Sequence, residues 1–186
     1  MYIKKYLWLI LSAILFFSAC SFGSKNSAAI NIASENQVAA LNGIQKGQMP
    51  PDFTIKTAEG KEYTLSNFKN ENKPILLYFF ATWCPYCSED FGIVKNIYPK
   101  YSGEVTFLAI DLDMNENAEL IKNYKNKKML KGVDFAAADE KILSDYGIIY
   151  TTTKFAIGRN GTILYKGSGV FDENQWTILL DGLIKS

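Results

Sequence analysis

A nine-residue apolar run, Pro74–Thr82 (PILLYFFAT), leads through Trp83 into Cys84-Pro85-Tyr86-Cys87. The run does not alternate with polar residues, so a strand made from it is buried on both faces. Such a strand needs cover on both sides, which points to a layered α/β domain. Pro85–Tyr98 carries apolar side chains at helical spacing and is expected to stop at Pro99. The cysteine pair therefore stands where a buried strand hands over to a helix. A helix N-terminus has unpaired N–H groups and about half a positive charge, and both stabilise a thiolate. Pro85 suits the first turn, because its missing N–H would have been unpaired there anyway. Cys87 is close enough to close a disulfide across that turn, so Cys84 reads as the attacking sulfur and Cys87 as the resolving one. Half a zinc site and an inert disulfide share this spacing. The chain holds no histidine and only one further cysteine, so a four-ligand zinc set cannot be completed. No metal and no cofactor is expected.

The flanking pattern supports the layered reading. Asp52–Lys56 and Lys61–Leu65 read as a β-hairpin around Ala58-Glu59-Gly60. Glu104–Leu112 and Val133–Ala137 read as strands, with an amphipathic helix, Asn115–Asn126, between them. Asp139–Tyr146 reads as a helix ended by Gly147. Lys154–Ile157 and Thr162–Lys166 form a second hairpin around Arg159-Asn160-Gly161. Asp172 is the expected N-cap of a last helix reaching Ile184. Strand–helix alternation that closes on a hairpin and a helix implies a mixed central sheet flanked by helices.

The third cysteine belongs to a different part of the chain. Lys4 and Lys5, the apolar run Tyr6–Phe17, and the small residues Ser18 and Ala19 precede Cys20. The run is shorter than the roughly 20 residues that span a bilayer, and the whole reads as an export signal. The small pair before Cys20 resembles the lipobox of bacterial lipoproteins, with Phe17 where that motif usually has an aliphatic residue. The resemblance implies a signal peptide over residues 1–19, lipid on Cys20 and a polar tether over 20–48, with a short helix at Ala33–Leu41. An uncleaved anchor and a plain secretory signal are the alternatives, and each places the rest of the chain outside the cytoplasm. Without Lys4 and Lys5 the chain has 18 basic against 19 acidic side chains. That balance excludes a polybasic membrane patch and a nucleic-acid partner.

Gln48–Ser186 resembles the thioredoxin-like domain of membrane-tethered bacterial thiol-disulfide oxidoreductases of the TlpA/ResA type. The matching stretches are PPDFTIKTAEGKEYTLSNF, ILLYFFATWCPYC, VTFLAIDLD and YGIIYTTTKFAIGRNGTILYKGSG. The resemblance implies a thioredoxin fold over 49–186, with an N-terminal hairpin and a central insertion around Asn115–Val133. It also implies disulfide exchange on exported proteins such as apocytochrome c, fed by a membrane or periplasmic thiol donor, with the protein a monomer. In the family an acidic residue at the position of Asp90 tunes the pair or relays a proton. The plainer alternative is that Glu89 and Asp90 are acids favoured by the helix dipole. Tyr78 stands where ordinary thioredoxins bury an aspartate, and reads as core packing. Trp83, Pro85 and Tyr86 are expected at the substrate contact, or as packing at its rim.

Thr152 occupies the place of the family's cis-proline, beside Thr151, and both are expected at the substrate strand. A cis bond before a non-proline residue costs about 2.5–4 kcal/mol, so Thr152 is expected trans or strained, with a hydroxyl within reach of the thiolate. Pro-Tyr between the cysteines leans towards an oxidising or isomerising pair, whereas the resemblance leans towards a reductase. Other classes fit less well. A peroxiredoxin has a threonine three before its cysteine and a nearby arginine; here stand Ala81, and Arg159 in a turn. Copper delivery in the Sco class needs a histidine. A non-catalytic or metal-binding module of the same fold stays the alternative.

Overall fold

The computed structural model describes residues 42–186. The signal segment, Cys20 and the helix expected at Ala33–Leu41 lie outside the described residues. The described chain runs β1 (Thr54–Lys56), β2 (Glu62–Thr64), α1 (Leu65–Asn70), β3 (Ile75–Phe80), α2 (Pro85–Ile97), β4 (Thr106–Asp111), α3 (Ala118–Lys128), β5 (Asp134–Ala136), α4 (Glu140–Asp145), β6 (Thr153–Ile157), β7 (Ile163–Gly167) and α5 (Glu173–Ile184). β1 and β2 pair antiparallel. The other strands form one mixed sheet in the order β5-β4-β3-β6-β7. β3 lies at its centre, parallel to β4 and antiparallel to β6.

The apolar run makes β3 because it has two cores to fill. Every side chain of β3 is fully buried. Leu76, Tyr78 and Phe80 point to one core, with Cys87, Phe91 and Val94 of α2, Ile121 of α3, and Trp176 and Leu180 of α5. Ile75, Leu77 and Phe79 point to the other, with Phe53, Leu65 and Phe68 near the strand pair, and Ile142 and Tyr146 around α4. Period-2 alternation thus sorts one unbroken hydrophobic run onto two faces. Fully burying each large apolar side chain stabilises the fold by about 1.5–3 kcal/mol.

Local chemistry sets the element ends. Asp172 accepts from the Gln175 N–H at 2.7 Å while Gln175 Oε1 accepts from the Asp172 N–H at 2.9 Å, a capping box at the expected start of α5. The helix expected from Asn115 begins at Ala118, because Asp113 Oδ1 takes the Asn115 N–H into a turn and Asn117 becomes the cap. Pro99 does not end the backbone spiral. It sits early in a 3₁₀ turn, Tyr98–Lys100, where its missing N–H is tolerated. α1 replaces the expected end of the second strand: Leu65 and Phe68 bury one face, and Asp52 Oδ1 accepts the Ser66 N–H at 2.8 Å. The end of the expected tether, residues 42–48, is tied to the sheet edge by Gly47 N–H to Ile163 O at 2.8 Å and Ile163 N–H to Gln48 O at 2.9 Å.

Candidate active site

Cys84 is the N-cap residue of α2, in extended backbone conformation, and Pro85 opens the helix. The Cys87 N–H donates to Cys84 Sγ at 3.2 Å. The first sulfur thus receives one of the helix's otherwise unpaired donors, which favours negative charge there. Both thiols are free and buried, Cys87 the more deeply. Burial first, and then the neighbouring Cys84 sulfur, push the Cys87 thiol up to about 12, against the pull of the Ala81 backbone and the Tyr78 hydroxyl. The two cysteines therefore sit in unequal surroundings: one sulfur at the helix end receiving a backbone N–H, one enclosed thiol that keeps its proton.

Behind Cys87 lies a buried polar network. The Tyr78 hydroxyl lies beside Cys87 and donates to Asp90 Oδ2 at 2.8 Å. Asp90 is fully buried and accepts three more hydrogen bonds: Lys154 Nζ to Oδ2 at 3.0 Å, Phe171 N–H to Oδ1 at 2.9 Å, and Trp176 Nε1–H to Oδ1 at 3.1 Å. Lys154 is fully buried too. Its ammonium also donates to Thr152 O at 3.0 Å and Gly169 O at 2.6 Å, among the rings of Tyr78, Phe171 and Trp176. Burial pushes the Lys154 ammonium down, and the Asp90 carboxylate pulls it back. A buried charge pair is tolerable only when its remaining donors and acceptors are met, and here they are.

Opposite the pair, no cis peptide bond occurs among the described residues. Thr152 instead adopts φ +60°, a left-handed conformation that costs a β-branched residue about 1–3 kcal/mol. Its hydroxyl donates to Thr151 O at 2.6 Å and accepts the Gly169 N–H at 2.9 Å. The expectation that Thr152 offers the sulfur a hydroxyl is therefore corrected. The left-handed turn commits that group to Gly169, and the Thr151 hydroxyl meets Cys84 Sγ, at 3.3 Å. Around the sulfur, Trp83, Tyr86, Ile149 and Tyr150 are more than half exposed. The Trp83 indole is held by Asp113 Oδ2 at 2.8 Å. A groove of about 420 Å³ runs from Cys84 and Pro85 to Leu120, Tyr124 and Lys127 of α3.

The profile of the redoxin family matches residues 45–179. The chain belongs to the redoxin family. It is similar to the thiol-disulfide oxidoreductase ResA of Bacillus thuringiensis subsp. konkukian, with 32% identity over 136 residues, 71% of this chain and 75% of that one. Similarity to ResA of Bacillus subtilis, at 25% identity, extends over 92% of this chain and 90% of that one. The fold is shared with StoA from Bacillus subtilis, at TM-score 0.59 and 21% identity over 70% of this chain and 96% of that one. It is also shared with a thioredoxin-family thiol:disulfide interchange protein from Chlorobium tepidum, at TM-score 0.64 and 22% identity over 73% of this chain and 95% of that one. Within the redoxin family the chain is a TlpA/ResA-type thiol-disulfide oxidoreductase.

This redoxin gathers Cys84, Cys87 and Thr151 into one cluster, with Trp83, Pro85 and Tyr86 at its mouth and Asp90 and Thr152 behind it. Asp90 faces Cys87 through the Tyr78 hydroxyl. Two network members escape a reading of the sequence. Tyr78 passes for core packing, and it does pack on Phe91 and Trp176, yet its hydroxyl, beside Cys87, holds Asp90. Lys154 passes for the start of a strand. Its signal is a lone cation in TKFAI, in register with Tyr78 on the adjacent strand, so the two side chains share a face.

Proposed function

We propose that the protein is an extracytoplasmic, membrane-tethered reductase of disulfides in exported proteins, apocytochrome c among the candidate substrates. The observation that carries this reading is the asymmetry of the pair: Cys84 receives a helix N–H at the floor of an aromatic-rimmed groove, and Cys87 is buried with its proton retained. Cys84 thiolate attacks a substrate disulfide. One S–S bond breaks, a mixed disulfide forms, and the first substrate thiolate leaves and takes up a proton. The Thr151 hydroxyl, beside the sulfur, turns to donate while Cys84 is charged. Cys87 then attacks Cys84 Sγ. Its proton passes to the neighbouring Tyr78 oxygen as the Tyr78 proton moves towards Asp90 along their hydrogen bond. The second substrate thiol departs, and the protein holds the Cys84–Cys87 disulfide. Two electrons have moved to the substrate, and an extracytoplasmic dithiol donor restores the pair. Lipid on Cys20 is the proposed tether.

Trapping tests the sequence of attack. In Cys87→Ser the mixed disulfide cannot resolve, so exported proteins are expected to accumulate on Cys84, and Cys84→Ser is expected to abolish both trapping and insulin reduction. If Cys84→Ser reduces insulin at the native rate, the exchange mechanism fails. Direction is read from the redox equilibrium with glutathione. A couple as oxidising as about −120 mV would replace the reductase reading with an oxidase one.

A further inference from the structure

Beneath the turn that presents Cys84 lie two carboxyl groups that the thiol exchange leaves unused. Asp111 ends β4, in register with Phe80 at the end of β3, and is fully buried. Its Oδ1 accepts the Asp113 N–H at 3.1 Å. Its Oδ2 is buried and has no hydrogen-bonding partner among the described residues. Glu116 reaches in from the loop after β4. Its Oε2 accepts the Thr82 N–H at 2.9 Å, and its Oε1 takes the Thr82 hydroxyl. Glu116 is thus the side chain that grips the residue two before the nucleophile. The register of Asp111 with Phe80 and the grip of Glu116 on Thr82, two residues further on, bring the two carboxyls to the same end of the sheet as neighbours. No cation pairs with either carboxyl among the described residues.

Two carboxylates cannot hydrogen-bond to one another, and a buried negative charge beside a half-buried one without a cation is repelled strongly. One proton placed between them resolves both difficulties at once. It turns repulsion into a charge-assisted O–H···O⁻ bond and supplies the missing partner for the Asp111 carboxyl. We propose that Asp111 and Glu116 share one proton, and that this bridged pair is the clamp that holds the Thr82–Cys84 turn, which makes both acids positioning residues for the nucleophilic sulfur. The other titratable groups at the pair are Asp113, on the same loop and hydrogen-bonded to Trp83 and Asn115, and Tyr124 of α3, whose buried hydroxyl senses Glu116. Neither supplies positive charge. Burial first, and then Glu116, push the Asp111 carboxyl from 3.8 up to about 8, opposed by the backbone N–H groups of Asp113 and Leu112.

The clamp has an alkaline limit. Once the shared proton is lost, the carboxylates repel, Glu116 releases Thr82, and the turn under Cys84 loosens. The folded state binds a proton that the unfolded chain gives up, so this site makes the fold less stable as pH rises from about 4 to about 8.

The inference deepens the proposed function, and its readouts need no substrate, so the two readings can fail separately. In the full chain, isotope-labelled carboxyl shifts are expected to show Asp111 neutral at a pH where the exposed acids are ionised. The Thr82 amide resonance is expected to move with the same titration. In Asp111→Asn the side-chain amide donates permanently to Glu116, so the Thr82 step is expected to vanish while insulin reduction at neutral pH stays within about twofold. In Asp111→Ala the bridge is gone, and the rate is expected to fall about tenfold or more, since small misplacements of a reacting group are costly. An ionised Asp111 at neutral pH, or a Thr82 step that persists in Asp111→Asn, overturns the proposal. If Asp111→Asn does not fold, the wild-type carboxyl shifts decide alone.

Discussion

The two cysteines differ by a few ångströms of position and by what surrounds each sulfur. Cys84 is at the helix end beside a groove, whereas Cys87 is enclosed by Tyr78, Phe91 and the Cys84 sulfur, with its thiol held up to about 12. Iodoacetamide is therefore expected to label Cys84 at neutral pH and Cys87 only as the pH approaches 12, read by mass spectrometry of the labelled peptides. Equal labelling at neutral pH would remove the basis for assigning them different roles. The sign for stability follows from the same shift. Between pH 9 and 12 the folded state keeps a proton on Cys87 that the unfolded chain releases, so the fold weakens across that window, and Cys87→Ser is expected to flatten the decline.

At the scale of elements, α5 stands out because it both covers the sheet and supplies Trp176 to Asp90. Its start is held by the Asp172–Gln175 capping box. Asp172→Ala is expected to cost about 1 kcal/mol and Asp172→Asn markedly less, measured as shifts of the urea midpoint. This helix was legible in the sequence because its cap is made by residues three apart. β3 was legible for a related reason: burial on both faces leaves an unbroken apolar run. α1 was not, since Thr64 makes no side-chain cap and Asp52, from before the hairpin, takes the Ser66 N–H. A helix whose first donor is met by a residue outside its own turn leaves little local trace.

At the scale of the whole molecule, Lys154 joins pieces that are far apart in the chain. It ties β6 to Asp90 of α2, to the left-handed Thr152 and to the loop at Gly169. Lys154→Met keeps the apolar stem but leaves Asp90 buried without its cation. It is expected to destabilise the fold by about 3–5 kcal/mol, and Lys154→Met combined with Asp90→Asn to recover a large part of that, measured by a double-mutant cycle of chemical denaturation. Simple additivity of the two substitutions would show that the pair is not coupled. The sequence by itself determined the α/β layering, the strand-to-helix junction at Cys84 and the caps, because each depends on neighbours within a turn or on the period of one element. Tertiary structure alone decided which hydroxyl meets the sulfur, which cation meets Asp90, and that Asp111 lies with Glu116 beneath Thr82. Those contacts need atoms within about 3 Å of each other, and strand register and crossover loops bring residues such as Asp90 and Lys154, 64 positions apart, to that distance. Spacing along the chain carries no record of it.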